Sequence, residues 1–253
     1  MKISTGKKSR PRNILLYGEH GSGKTTLSST FPSPIVIDIE GGCDDIDVAR
    51  TDRIRDYPEF EEAISWLITA DHKYTTVVVD SVDWLEMLIQ RHVADVNNVA
   101  SIDLIGYGKG FSFVADKFSY MLAGFRKLNE MGMAVVLIAH AKTVKHTPPD
   151  CDSYDRREPD LHNKVSSLLM EFVDECLYLT TKVYTKTEDL GGFKGERKIA
   201  ISNTADRIMI TGGSPAVVAK NRLSMPAEIP ANFLEYRKYM PQRIEENVKA
   251  PSV

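Results

Sequence analysis

The chain has 253 residues, 42% of them hydrophobic and 26% charged, which are the proportions of an ordinary globular protein. No apolar run reaches the roughly 18 residues of a membrane-spanning helix and no apolar secretory segment opens the chain, so a cytoplasmic protein without membrane contact is expected. A net charge of −3 does not advertise a nucleic-acid binder, and the three scattered cysteines, Cys43, Cys151 and Cys176, form no CxxC pair and predict neither a disulfide framework nor a zinc site.

Residues 1–12 make a basic arm in which Lys2, Lys7, Lys8, Arg10 and Arg12 meet no acidic residue. Such an arm is either a solvated tail or a contact for phosphates. "NILLYG" at 13–18 predicts the first buried strand, followed by a Gly-rich turn and a helix from about Lys24. Three more apolar runs, "PIVIDIE" (34–40), "TTVVVD" (75–80) and "AVVLIAH" (134–140), predict strands of a parallel sheet with helical connections. Trp84, Leu85, Leu88, Ile89, Val93 and Val96 recur at helical spacing and predict a helix over 81–97. Val114, Phe118, Met121, Phe125 and Leu128 give a second such stripe. Past about residue 174 the runs 175–185, 197–203 and 206–212 are short and β-prone, with "LGGFKG" (190–195) as a turn; they predict an antiparallel extension on one sheet edge.

Segments 98–110 and 141–162 match no element, and the second is long for a structureless loop inside a domain. His146, Cys151 and His162 share or flank it, but their spacing matches no metal motif. The domain reading is an arm at 1–12, a core at 13–225 and a polar tail at 226–253.

Residues 18–25 spell GxxxxGK[ST] between a predicted strand and a predicted helix. In that loop the backbone N–H groups of Gly18, Glu19, His20, Gly21, Ser22 and Gly23 turn toward phosphates. Lys24 bridges phosphate oxygens, Thr25 coordinates magnesium, and Thr26 continues the helix start. ATP with Mg2+ is the predicted ligand pair. Asp80, ending a fully apolar strand, is the predicted second magnesium residue. The residue after it is Ser81, so the carboxylate that activates water must come from elsewhere. Glu40 at the end of the next strand is the first candidate, and Asp38 and Asp83 are less favoured.

Four stretches, "VIDIEGGCDD", "VVVDSVDWL", "VVLIAHAKTVK" and "AKNRLSMP", together with "YGKGF" and the short length, resemble the RecA-like recombination and helicase ATPases over about residues 12–225. Among these the chain looks like the phage core-only RecA-like proteins, AAA-type nucleotide-binding proteins that act in single-strand annealing or recombination. The resemblance implies an α/β RecA-like P-loop fold, a mostly parallel sheet with helices on both faces. It implies ATP hydrolysis with Glu40 as the water activator and His140, where RecA has glutamine, as a γ-phosphate sensor. Lys220 and Arg222 would reach a neighbouring subunit's nucleotide in a ring or filament. Residues 141–162 would be the DNA-binding loop, with Lys142, Lys145, Arg156 and Arg157 on phosphates and Tyr154 stacking on a base. Single-stranded DNA, further copies of the chain and a single-strand-binding protein are the partners so implied. A DnaB- or terminase-like motor, and a nucleotide switch or small-molecule kinase without a DNA partner, remain open beside it.

Overall fold

The computed structural model describes residues 10–189 and 196–241. The predicted turn at 190–195, Lys2, Lys7 and Lys8 of the basic arm, and the tail from 242 lie outside the described residues.

The strands are β1 (Asn13–Gly18), β2 (Pro34–Asp38), β3 (Ala49–Arg50), β4 (Thr76–Asp80), β5 (Ala134–His146), β6 (Tyr154–Pro159), β7 (Glu175–Asp189), β8 (Glu196–Ile210) and β9 (Glu228–Pro230). They form one sheet in the order β3-β2-β4-β5-β1-β7-β8-β9, with β6 paired to β5 off this path. From β3 to β7 the ladder is parallel, and β8 and β9 add to it antiparallel, as the β-prone C-terminal runs predict. β1 and β4 are buried along their whole length, which is why they read as continuous apolar runs rather than alternating ones.

Each buried strand feeds two cores, because successive side chains point to opposite faces. Leu15, Tyr17, Val77 and Val79 pack with α2 (Tyr57–Thr69), α3 (Val82–Val96), α4 (Lys109–Glu130) and α5 (Asn163–Phe172). Ile14, Leu16, Val36 and Val78 pack on the other face with Leu27 of α1 (Lys24–Ser28) and Tyr236 of α6 (Phe233–Arg237). The observed architecture is thus the expected α/β fold with helices on both faces.

Three segments differ from the sequence reading. Helix α2 occupies a stretch given no element. Asp56 caps it by accepting the Glu59 N–H, Pro58 sits in the first turn, and Tyr57, Phe60, Ile64 and Leu67 form its buried stripe. Residues 141–162 are not a loop. β5 runs on to His146 and returns as β6, so that most of the segment is a two-stranded antiparallel ribbon, followed by α5. The 98–110 stretch holds two short 3-10 turns, Ile102–Leu104 and Gly106–Gly108, that lead into α4.

The packed structure also runs past residue 225. β9 pairs with β8, and Tyr236 of α6 is buried with its hydroxyl donating to Glu175 at 3.2 Å. Arg10 and Arg12 of the basic arm pair with Asp174 and Glu175, both fully buried, so both cations have partners within the chain.

Candidate functional site

The parallel strands end together on one edge, where open α/β sheets bind ligands. Gly18 at the end of β1 lies beside His140 of β5, and Asp38 at the end of β2 lies beside Asp80 of β4. The loop from Gly18 to α1 sits over this edge. Two of its glycines are forced by geometry. A Cβ on Gly18 would collide with the Leu179 carbonyl oxygen, and Gly23 has φ +92°, a left-handed conformation open to glycine.

Lys24 is buried and its ammonium donates to the carbonyls of Gly18 and Glu19, both at 3.0 Å. Burial lowers its pKa, against the charges of Asp80 and Glu40. Thr25 donates from its hydroxyl to Asp80 at 2.6 Å, joining the two predicted magnesium residues. Burial pushes the Asp80 carboxyl up to about 6, with Glu40 and Asp38 adding to the effect and Thr25 and Lys24 opposing it. A hard divalent cation fits there: the donors are oxygens, and the carboxylate sits among like charges that a cation would relieve. A phosphate group fits the loop equally, since Ser22 Oγ is buried and finds no partner among the described residues.

The three candidate water activators separate by their partners. Asp38 accepts the Gly41 N–H at 2.7 Å and so shapes the turn that carries Glu40. Asp83 accepts the His140 backbone N–H at 3.1 Å and its ring Nδ1–H at 2.8 Å. Burial works against the Asp83 charge, but the bonds from His140 outweigh it and hold the carboxyl below its ordinary pKa; the same bond holds His140 above its own. Glu40 is half-buried, its backbone N–H held by the Asp80 carbonyl at 3.2 Å and its carboxylate 3.7 Å from His140 Nε2. Of the three it is the one whose carboxylate is not taken up by a backbone N–H. His20, in the phosphate loop, stacks on His140 with ring centroids 3.9 Å apart.

These groups line a cleft of about 310 Å³ that includes His20, Gly21, Gly23, Lys24, Thr25, Thr26, Glu40, Asp80 and His140. It also includes Arg207, which the sequence did not single out. The antiparallel pairing of β8 with β7 brings this exposed arginine over the loop, where a Cβ built on Gly23 would run into its Nη1. Its one sequence signal is weak, a cation inside a β-prone run.

The basic residues of 141–162 do not form one free surface. Across the ribbon Lys142 faces Glu158 and Lys145 faces Asp155. Lys142 donates to the Leu161 carbonyl at 2.7 Å. Arg156 donates to the Pro215 carbonyl and lies over the Tyr154 ring, which also stacks on His146. Lys145 and Arg157 are exposed. Lys220 and Arg222 lie at the opposite sheet edge, next to the start of β7. Lys220 donates to the carbonyls of Met170 and Val173 at the end of α5, while Arg222 is exposed with one bond to Asp174 at 3.2 Å.

Among the described residues no helix is long and apolar enough to cross a membrane. No curated protein matches the chain. A family model described as an AAA domain matches residues 10–223, a span that takes in the phosphate loop, Asp80 and every parallel strand. The chain therefore belongs to this AAA domain family of P-loop ATPases.

Proposed function

We propose that the protein hydrolyses ATP and that the ribbon β5–β6 carries the state of the nucleotide to single-stranded DNA. In the hydrolytic step Lys24 and the loop N–H groups hold the terminal phosphates, and Glu40 takes a proton from the attacking water. The water oxygen bonds to the γ-phosphorus as the bond to the β–γ bridging oxygen breaks, giving ADP and phosphate. Thr25 and, through water, Asp80 would hold magnesium, which supplies charge neutralisation at the phosphates. Arg207 is placed to add charge from within the same chain.

The observation that carries the coupling is that one strand serves both purposes. His140 ends the buried parallel part of β5, beside Glu40 and the loop, and the next residue, Ala141, begins the ribbon. A shift of His140 toward a γ-phosphate is a shift of the ribbon's base. Lys145 and Arg157 supply the cations for a strand of nucleic acid, with Lys142 and Arg156 already engaged in the fold. Arg222, exposed on the far edge, suits contact with a second copy in a ring or filament; Lys220 is omitted from that role because its ammonium caps α5. A role in phage annealing or recombination agrees with this reading.

The opposite charges facing each other across the ribbon favour a second reading, a lid or switch that touches no nucleic acid. Fluorescence anisotropy of a labelled single-stranded oligonucleotide separates the two. Binding that is tighter with a non-hydrolysable ATP analogue than with ADP, and that weakens with salt, supports the DNA reading. No binding in either nucleotide state at low salt leaves the switch, while magnesium-dependent ATP turnover tests the hydrolytic part on its own.

A further inference from the structure

His20, Glu40 and His140 come from three separate places in the chain, the phosphate loop, the turn after β2 and the middle of β5, and their donor atoms all lie within 4.8 Å of one another. His140 Nε2 and a Glu40 oxygen are 3.7 Å apart. A tetrahedral centre with bonds of about 2.0–2.1 Å needs donors about 3.4 Å apart, so the set closes when the exposed His20 ring turns out of its stack on His140 and aims a ring nitrogen at the shared point. Two imidazoles and one carboxylate are the donors that zinc and its neighbours prefer, and they differ in kind from the all-oxygen pair Thr25 and Asp80.

A second feature points the same way. The His140 ring Nδ1–H donates to Asp83 at 2.8 Å, which leaves Nε2, on the Glu40 side, as the free ring nitrogen. Metal-bound histidines are held in this manner, with a carboxylate on the far nitrogen fixing the tautomer and orientation. Asp83 in turn is anchored by the His140 backbone N–H, so ring and carboxylate cannot drift independently.

We propose that His20, Glu40 and His140 bind a borderline-soft divalent cation of the zinc type, with Asp83 as the outer partner of His140 and one coordination position left open in the cleft. This is a site separate in chemistry from the magnesium site. It follows from the donor set alone and does not depend on the reaction proposed above. Where that reaction holds, the cation competes for Glu40 with the attacking water, so zinc would inhibit turnover at concentrations that leave nucleotide bound.

The test uses untagged full-length protein without nucleotide, titrated with Co2+. The expected result is one equivalent of bound Co2+ with the intense visible bands of a four-coordinate centre, displaced by Zn2+ and not by a large excess of Mg2+. His20→Ala and Glu40→Gln are the working variants, because His20 is exposed and Glu40 only half-buried, so neither change should unfold the chain; thermal melts verify this. Each should weaken Co2+ by 10-fold or more, and Asp83→Asn, which leaves all three donors, by about 10–100-fold. Absence of the bands, or equal Co2+ affinity in the native chain and in His20→Ala/Glu40→Gln, overturns the proposal. The bands are read without ATP, so an enzyme inactive toward ATP that still shows them refutes the proposed function and leaves the metal site standing.

Discussion

Asp83 grips His140 twice, at the backbone N–H (3.1 Å) and at ring Nδ1 (2.8 Å), and so turns the other ring nitrogen toward Glu40. Two of the acids considered for water activation thereby differ in place, Glu40 lining the cleft and Asp83 behind the histidine.

The two substitutions should therefore separate. Glu40→Gln keeps size and hydrogen bonding but not the base, so turnover should fall by roughly 100-fold or more with ATP still bound. Asp83→Asn should cost about 10-fold or less. Single-turnover hydrolysis together with equilibrium nucleotide binding measures both, and a larger loss in Asp83→Asn would reverse the assignment.

Lys24→Ala should abolish turnover while the circular dichroism spectrum and melting profile stay close to native, since among the described residues the ammonium bonds two loop carbonyls and nothing else. Steady-state hydrolysis at the native rate would remove the phosphate loop from the mechanism.

Arg207→Ala should weaken nucleotide binding by about 10-fold or more, the effect of losing one hydrogen bond to a charged group, about 1.5–3 kcal/mol. A fluorescent ATP analogue reads this directly. Undiminished affinity would mean that the guanidinium only covers Gly23.

Lys220 and Arg222 should behave unlike each other. Lys220→Ala removes the cap on the α5 carbonyls and should lower the melting temperature, with about 1.5–3 kcal/mol lost for bonds from a charged donor. Arg222→Ala should leave the melt near native and flatten any rise of turnover per subunit with protein concentration. If Lys220→Ala instead flattens that rise with an unchanged melt, the lysine serves the neighbour and not the helix.

Glu86 gives a pH signature. Burial raises its pKa above the ordinary value, against the bonds from the His162 N–H and Gln90. The folded state then holds this proton to higher pH than the unfolded chain does, so the contribution to stability is present at low pH and is lost as pH rises from the unfolded value of 4.5 through the raised one. Glu86→Gln keeps an oxygen for the His162 N–H and has no such loss. Relative to the native chain its melting temperature should climb across that interval, by about 2–4 °C per kcal/mol relieved. A constant gap between the two proteins from pH 4 to 7 would contradict the shift.

The sheet was legible because parallel strands buried on both faces leave continuous apolar runs. β1 begins and ends where "NILLYG" does, and β4 and the buried half of β5 follow in the same way. Helix α2 is equally legible, since Tyr57, Phe60, Ile64 and Leu67 recur at helical spacing behind an Asp-capped, Pro-bearing first turn. The ribbon was hidden because its residues are mostly polar and carry charges of both signs, and pairing partners such as Lys142 and Glu158 leave no apolar period. The site divided likewise. Local motifs exposed Lys24, Thr25 and Asp80, whereas Arg207 reaches the loop only through the pairing of β8 with β7, an alignment that no local pattern announces.

Arg12 and Tyr236, near opposite ends of the described chain, both bond Glu175, which has no contact with water. During synthesis this carboxylate is made long before Tyr236 and has only the arginine for company until α6 leaves the ribosome. A chain stopped short of residue 236 keeps the arginine on both carboxylate oxygens but lacks the ring and hydroxyl that cover them, and so leaves the start of β7 wet. Among the described elements α6 is thus the one that finishes the burial of Glu175, and chains truncated before it should be the ones that proteases remove.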